Sequence, residues 1–182
     1  PIEDSARVLS RMVDIIMIRT YEHEKIQRFA DHSQVPVINA LTNAYHPCQL
    51  LADMQTYFEQ RGDIAGKRVA WIGDGNNMAH SIMIGCAKMG MHVAVGHPKG
   101  YAPDGETTTR TREIAANFGT AVQVTEDPME AAADADVIYT DVWASMGQEE
   151  EQKQREKAFA DYQVDNRLMS AADKDSIFMH CL

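Results

Sequence analysis

The sequence has few cysteines, few basic residues and no long hydrophobic run. Its 182 residues include 3 Cys, and 17 Lys and Arg stand against 27 Asp and Glu, for a formal net charge of −10. This acidic balance argues against a nucleic-acid or anionic-membrane surface. The longest apolar runs, such as Ile15 to Ile18, are far too short to span a bilayer. Because 45% of the residues are hydrophobic and 24% are charged, the composition is that of a globular protein.

The three cysteines, Cys48, Cys86 and Cys181, are widely spaced and cannot all pair, which favours a reducing, cytoplasmic compartment. Seven His and three Cys show no zinc-site spacing, so we expect no metal. No basic segment followed by an apolar stretch opens the chain, and we expect no signal peptide. The chain starts at Pro1 and stops inside an apolar segment, which leads us to expect an internal piece of a longer protein.

Apolar periodicity and turn residues predict alternating helices and strands. This order indicates an α/β protein whose parallel sheets are wound on both faces. Asp4 and Asp127 are expected to cap helices. The helices are predicted over 5–13, 22–32, 46–60, 78–88, 108–118, a short stretch after 128, 149–159 and 166–172, and the strands over 15–18, 35–39, 68–72, 92–96, 121–125, 136–140 and 176–182.

Gly62 and Gly66 interrupt the pattern after the third helix, so we place a domain boundary there. The prediction is a first domain over 1–45, a linking helix over 46–66 and a second, Rossmann-like domain over 67–182. In such sheets, ligands bind beyond the carboxyl ends of the strands.

The loop from Gly73 to Met78 resembles half of a dinucleotide fingerprint. Met78 stands where the third glycine belongs, and no acidic residue ends the next strand, so nucleotide binding and an NAD-dependent dehydrogenase are disfavoured. Asn76 and Asn77 could cap the following helix, adopt a left-handed conformation, or present an amide to an amino-acid ligand.

A second loop, from Asp141 to Gln148, places a carboxylate, an indole, a hydroxyl and a glycine directly after a strand. Loops of this composition hold small polar ligands. The alternative is that Asp141 only caps the turn and Trp143 belongs to the core.

Three further sites carry candidate side chains. His46 and Gln49 lie at a predicted helix start, where backbone N–H groups favour a negative ligand. Arg19 ends a strand and could bind a ligand or form a surface ion pair. Cys181 at the last strand is either a buried thiol or a participant in binding and proton movement.

In this order, Met17-Ile18-Arg19-Thr20, His46-Pro47-Cys48-Gln49, Gly73-Asp74-Gly75-Asn76-Asn77, Asp141-Val142-Trp143-Ala144-Ser145-Met146-Gly147 and His180-Cys181-Leu182 resemble the ornithine carbamoyltransferases along essentially the whole chain. The His-Pro-x-Gln element is shared with the aspartate carbamoyltransferases, whereas the last two elements are specific to the ornithine branch.

The resemblance implies a carbamoyl-phosphate domain, only partly present here, and an L-ornithine domain, in a homotrimer or a multiple of trimers. It implies transfer of the carbamoyl group to the δ-amine of ornithine, giving citrulline and phosphate in arginine metabolism, without cofactor or metal. It assigns Arg19, His46, Gln49, Cys181 and Leu182 to carbamoyl phosphate, with Arg19, His46 and Cys181 catalytic, and it assigns Asn77, Asp141, Ser145 and Met146 to ornithine.

The sequence also departs from the family. The Ser-x-Arg-Thr-Arg phosphate element has no counterpart; residues 107–112 look similar but lie in the wrong domain, and we interpret them as a solvated helix start. The chain alone is therefore expected to turn over carbamoyl phosphate poorly. Two alternatives stay open: a carbamoyltransferase for another amine, such as putrescine or an acylated ornithine, and a non-catalytic amino-acid-binding relative.

Overall fold

The computed structural model describes residues 1–144 and 151–181. These residues form α1 (Ile2–Leu9), β1 (Ile16–Arg19), α2 (His23–His32), β2 (Val37–Leu41), α3 (Pro47–Arg61), β3 (Arg68–Ile72), α4 (Asn77–Lys88), β4 (His92–Gly96), α5 (Gly105–Ala116), β5 (Val122–Thr125), α6 (Pro128–Ala132), β6 (Val137–Thr140), α7 (Gln152–Phe159), α8 (Asn166–Met169) and β7 (Ile177–His180). A short 3-10 turn, Ala160–Tyr162, follows α7.

Strands β3 to β7 form one parallel sheet in the order β5-β4-β3-β6-β7. Strand β6 is buried along its whole length, and β3 and β4 are buried beyond their first residue, as expected of strands covered on both faces. The chain moves outward in opposite directions from β3, first to β4 and later to β6. The direction in which successive strands are added to the sheet therefore reverses between β3 and β6. Sheets of this kind bind ligands at that point.

Two apolar layers enclose this sheet. On one face α3 and α4 contribute Leu50, Met54, Ile82 and Met83 to a cluster around Trp71. On the other face, alanines of α6 pack with Phe159 of α7 and Leu168 of α8. This confirms the doubly wound arrangement predicted from the alternation of elements. We call β3 to β7 with α4 to α8 the carboxyl-terminal unit.

A second, two-stranded parallel sheet pairs β1 with β2. Helices α1 and α2 contact each other, and α2 also contacts β2. We call α1 to β2 the amino-terminal unit. Burial in β1 alternates along the strand, and Met17 remains 71% exposed. Helix α3 joins the two units.

Three local predictions are corrected or confirmed. Asp4 does not cap α1, because that helix begins at Ile2; Asp4 lies in the first turn and pairs with Arg7, three residues further on. Asp127 does cap α6, accepting hydrogen bonds from the N–H groups of Met129 and Glu130.

The stretch 107–112 is not a solvated helix start. Helix α5 begins earlier, at Gly105, with Asp104 as its cap. Thr107, Thr108 and Thr111 are buried, because this face of α5 packs on α4. Within the described residues, no helix is both long and apolar enough to cross a membrane.

Candidate functional site

A cleft of about 690 Å³ opens at the carboxyl ends of β1, β3 and β6, between the two units. Its walls come from the end of β1, the segment 41–49, the β3–α4 loop, the segment 100–102 and the residues that follow β6 and β7. The predicted residues that line it are Arg19, His46, Gln49, Asn77, Asp141 and Cys181. Ser145, Met146 and Leu182 lie outside the described residues.

Asn76 and Asn77 have different structural roles. Asn76, with φ of −85°, caps α4 by accepting from the N–H groups of Met78 and Ala79, and its Nδ2 donates to Asp141 Oδ2 at 3.3 Å. Asn77 is the first residue of α4, and its Nδ2 donates to the Thr42 carbonyl at 2.8 Å. Of the alternatives for this pair, capping is confirmed for Asn76, and neither residue is left-handed. Asn77 instead links the cleft wall to the segment before α3.

Gly75 has a packing role in the β3–α4 loop. A Cβ at this position would lie 2.1 Å from the Pro103 nitrogen and 2.3 Å from the Ala102 carbonyl carbon. The Gly75 N–H donates to the Tyr101 carbonyl at 2.9 Å. The glycine therefore allows the 101–103 backbone to approach this loop.

His46 precedes α3, and its backbone N–H donates to Ser81 Oγ at 2.7 Å. Among the described residues, its buried Nδ1 has no hydrogen-bond partner. Burial lowers the pKa of His46, the positive charge of Arg19 lowers it further, and Asp141 opposes the shift. The site therefore favours the neutral imidazole.

The side chain of Gln49, in the cleft wall, is held by a hydrogen bond to a carboxylate. Its Nε2 donates to Asp53 Oδ1 at 2.9 Å, one turn further along α3. The Tyr139 hydroxyl of β6 donates to the other carboxylate oxygen, Oδ2, at 2.8 Å. Burial raises the pKa of Asp53, and the hydrogen bonds from Tyr139 and Gln49 act in the opposite direction.

Cys181 and Asp141 approach each other at the carboxyl ends of β7 and β6. Burial, together with the charge and hydrogen bond of Asp141, raises the pKa of the Cys181 thiol to about 12. The thiol is therefore protonated at neutral pH. Asp141 also accepts a hydrogen bond from the Val142 N–H at 2.7 Å. It therefore both caps its turn and lines the cleft.

Trp143 packs against the apolar core, the alternative to a role in holding a ligand. Its ring is half-buried and stacks on Phe159, with the ring centroids 6.3 Å apart, and it packs against the apolar cluster on the far face of the sheet. The indole is not among the groups that line the cleft.

Arg155 was not predicted as a site residue, yet it lines the cleft from α7. Only 5% of this residue is exposed. Its Nη1 donates to Asp74 Oδ2 at 2.7 Å and to the Trp143 carbonyl at 2.9 Å, and its guanidinium lies 5.0 Å from the centre of the Tyr101 ring. It joins the loops that follow β3 and β6. The sequence does not indicate a role for Arg155, because α7 has the composition of a charged surface helix.

His80 of α4 is a second missed residue of the cleft. Its Nδ1 lies 3.1 Å from the Ala44 carbonyl, and its Nε2 accepts from the Asp104 N–H at 3.1 Å. These two bonds define a neutral ring with its proton on Nδ1. Burial lowers the pKa of His80. Within residues 1–144 and 151–181, no group of three His, Cys, Asp or Glu side chains could hold a metal ion.

Fold and cleft together define an α/β protein with a polar cleft at the switch point of a parallel sheet, the place where proteins of this class bind small molecules. Residues 65–182 match the family model "Aspartate/ornithine carbamoyltransferase, Asp/Orn binding domain", and residues 1–59 match the carbamoyl-P binding domain model of the same family. The chain belongs to the aspartate/ornithine carbamoyltransferase family.

Individual relatives agree with the family models. An ornithine carbamoyltransferase of Acinetobacter baumannii (strain ATCC 17978) is 58% identical over all 182 residues, and one of Hydrogenovibrio crunogenus is 55% identical over the same length. The solved ornithine carbamoyltransferase of Pyrococcus furiosus superposes with a TM-score of 0.94 at 50% identity and covers the whole chain. The chain spans 57%, 58% and 58% of these three proteins, respectively.

Proposed function

We propose that these residues belong to an enzyme that transfers the carbamoyl group of carbamoyl phosphate to the δ-amine of L-ornithine, giving L-citrulline and phosphate. The observation that carries the proposal is the convergence of six side chains on one cleft: Arg19, His46, Gln49, Asn77, Asp141 and Cys181. They come from segments far apart in the sequence. Relatives that bear the name ornithine carbamoyltransferase match the chain along its whole length, which supports the same conclusion.

In the proposed reaction, the neutral δ-amine attacks the carbamoyl carbon, negative charge grows on the carbamoyl oxygen, and the carbon–oxygen bond to phosphate breaks. The departing phosphate takes the proton that the amine loses. Arg19 and His46 would donate hydrogen bonds to that oxygen. The buried Nδ1 of His46 has no acceptor among the described residues, and a buried N–H without an acceptor is costly. The proton therefore belongs on Nε2, where the neutral ring is a donor. Each such donor contributes about 2.7 to 4 kcal/mol to transition-state stabilisation.

The ornithine side of the cleft would be formed by Asp141, Asn77, Ser145 and Met146. Asp141 supplies the negative charge that an α-ammonium group requires. Cys181, held as a thiol beside Asp141, would lie where the carbamoyl group and the δ-amine meet, together with Leu182. Because its pKa is so high, Cys181 would act as a neutral polar contact and not as a thiolate nucleophile.

The proposal extends to the whole protein. Residues 1–45 would form the latter part of the carbamoyl-phosphate domain, 46–66 the linking helix and 67–182 the ornithine domain. The working form would be a cytoplasmic homotrimer or a multiple of trimers, acting in arginine metabolism. The Ser-x-Arg-Thr-Arg element of the family does not occur in these 182 residues, so the chain alone would hold phosphate weakly and turn over slowly.

The test is citrulline formation from carbamoyl phosphate and L-ornithine. We would compare the 182-residue chain with a chimera in which it replaces the matching part of the Acinetobacter baumannii relative. The chimera is expected to exceed the chain alone by at least about 100-fold, the loss typical of removing one transition-state donor. Putrescine and acetylornithine serve as control substrates.

Three other outcomes are informative. Robust citrulline formation by the 182-residue chain would refute the idea that it is catalytically incomplete. Preference of the chimera for a control amine would move the substrate away from ornithine. Ornithine binding without turnover in the chimera would indicate a non-catalytic relative.

A further inference from the structure

A carboxylate stands directly behind the amide of Gln49. Asp53 Oδ1 accepts from Gln49 Nε2 at 2.9 Å, and Asp53 Oδ2 accepts from the Tyr139 hydroxyl at 2.8 Å. The first bond joins residues four apart on α3, and the second joins α3 to β6 across 86 residues. Neither Asp53 nor Tyr139 lines the cleft, so any effect on a ligand must pass through another residue.

Tyr139 makes the position of this carboxylate rigid. The tyrosine is 2% exposed, and its ring stacks on Trp71 with the ring centroids 5.5 Å apart and the planes inclined by 21°. Trp71 is fully buried and donates its indole N–H to the Asp74 carbonyl at 2.8 Å. Asp53 is therefore held by a side chain that is itself fixed in the core of the sheet.

The direction of the Gln49 amide follows from this arrangement. A glutamine amide carries its donor NH₂ and its acceptor oxygen on opposite sides, and both oxygens of Asp53 accept hydrogen bonds here, from Gln49 Nε2 and from the Tyr139 hydroxyl. Asp53 therefore draws the NH₂ group toward itself and leaves the oxygen for a ligand in the cleft. An acceptor at this point recognises a ligand N–H and gains nothing from a methyl group.

We propose that Asp53, held by Tyr139, is a positioning residue that keeps the Gln49 amide oxygen free, so that the site selects an acyl phosphate bearing NH₂ over one bearing CH₃. This inference rests on the proposed function for the identity of the ligand. It adds to that function the residue pair, Asp53 and Tyr139, that sets the orientation of the Gln49 side-chain amide.

The chain provides a matched control on the same helix. Gln55 Nε2 donates to Glu59 at 2.8 Å, also four residues apart, and this pair is exposed. Asp53→Ala removes the carboxylate behind Gln49, whereas Glu59→Ala removes its solvent-exposed equivalent. Tyr139→Phe is a second variant: it keeps the ring in the core and removes only the hydroxyl that holds Asp53.

The first measurement is competitive inhibition of citrulline formation in the chimera by two stable probes. Phosphonoacetamide carries an NH₂ group, and acetonylphosphonate carries a CH₃ group in its place. The unaltered chimera and its Glu59→Ala variant are expected to bind phosphonoacetamide roughly 10-fold more tightly than acetonylphosphonate. The ratio is expected to fall to about 2-fold or less in Asp53→Ala and to an intermediate value in Tyr139→Phe.

The second measurement needs no activity. In the ¹⁵N-labelled 182-residue chain, hydrogen exchange of the Gln49 side-chain NH₂ is expected to be slower than that of Gln55, and Asp53→Ala is expected to remove this difference. Equal exchange of the two amides in the unaltered chain would overturn the assigned orientation.

The outcomes separate the two proposals. A chimera that makes no citrulline and binds neither probe contradicts the proposed function and the ligand named here, while amide exchange still decides the orientation. An active chimera whose Asp53→Ala and Tyr139→Phe variants keep the full preference for phosphonoacetamide contradicts the positioning role alone.

Discussion

The two units contain the same kinds of element, but they bury them very differently. In the carboxyl-terminal unit, helices cover both faces of a five-stranded sheet, and Ile138 on β6 is fully buried. In the amino-terminal unit, Ile38 on β2 is 38% exposed. Its other exposed apolar side chains include Val8, Leu9, Met12, Val13, Ile15 and Met17. Parallel strands become stable when both faces are covered, so most of the stability of the described chain should come from the carboxyl-terminal unit.

The cleft lies where these two units meet. The carboxyl-terminal unit supplies most of its walls as loops packed on a rigid sheet, and the amino-terminal unit supplies Arg19 at the end of β1. A site built on packed strands holds its groups in place, because core side chains leave little room for movement.

The sharpest contrast is between a buried and an exposed ion pair. Arg155→Ala leaves the Asp74 carboxylate, whose side chain is 13% exposed, without its partner, and such changes cost about 3 to 5 kcal/mol. Arg7→Ala breaks the exposed pair with Asp4 on α1 and should cost less than about 1 kcal/mol. Urea unfolding of the two variants measures the difference, and equal costs would contradict the contrast between the units.

A matched pair of isoleucines tests the apolar packing. Ile138→Ala should lower the free energy of unfolding by about 2 to 5 kcal/mol, because it opens a cavity in a fully covered strand. Ile38→Ala removes the same atoms from a partly exposed strand and should cost less than about 1.5 kcal/mol. Chemical denaturation at neutral pH compares them. An Ile38→Ala variant as damaging as Ile138→Ala would show that the amino-terminal unit is better packed than its exposure indicates.

Two glycines sharpen the comparison within the carboxyl-terminal unit. Gly75→Ala places a Cβ against the backbone of Ala102 and Pro103 and should cost about 1 to 3 kcal/mol. Gly105 has open space around its Cβ position, so Gly105→Ala should stabilise the protein by about 0.4 to 1 kcal/mol by restricting the unfolded chain. Thermal unfolding distinguishes the two. A neutral Gly75→Ala would mean that the 101–103 segment moves aside easily.

The smallest expected effect concerns the contact of His80 on α4 with the segment before α3 at low pH. Burial lowers the pKa of His80 below its ordinary value of 6.5, so the unfolded chain binds a proton more readily than the folded one. Its contribution to stability is therefore complete above about pH 6.5 and is lost as the pH falls toward the lower, folded-state pKa. Protonation would also place a second N–H against the Asp104 N–H.

Replacement of His80 measures this contribution. His80→Gln should reduce the slope of unfolding free energy against pH between about pH 7 and pH 5. His46, whose pKa is also lowered, should preserve part of that slope. An unaltered slope in His80→Gln would mean that the ring does not titrate in this range.

Much of the fold could be predicted because its signals are local. The runs that became β3 and β4 were placed at their observed bounds, since apolar β-branched stretches between turn residues are typical of buried parallel strands. Helix starts were less predictable. Helix α5 begins three residues before its predicted start, and its buried threonines look polar in sequence, although packing against α4 covers them.

The candidate residues divide in the same way. Arg19, His46, Asn77 and Asp141 were candidates because each stands at a strand end or a helix start, where such sheets bind ligands, and because the motifs around them resemble those of the family. No such local signal identified the four remaining residues, Arg155, His80, Asp53 and Tyr139. An arginine within a charged helix and a tyrosine within an apolar strand look like ordinary surface and core residues.

The amino-acid pattern alone thus established the alternation of helices and strands, the parallel sheets and the loops that carry polar side chains, because hydrophobic period and turn chemistry act over a few residues. Tertiary structure decided which of those side chains meet. The Arg155–Asp74 pair joins residues 81 apart, and the Tyr139–Asp53 bond joins residues 86 apart. Such contacts exist only after the sheet is assembled, because the packing of remote elements sets their distances and removes the water that would otherwise weaken them.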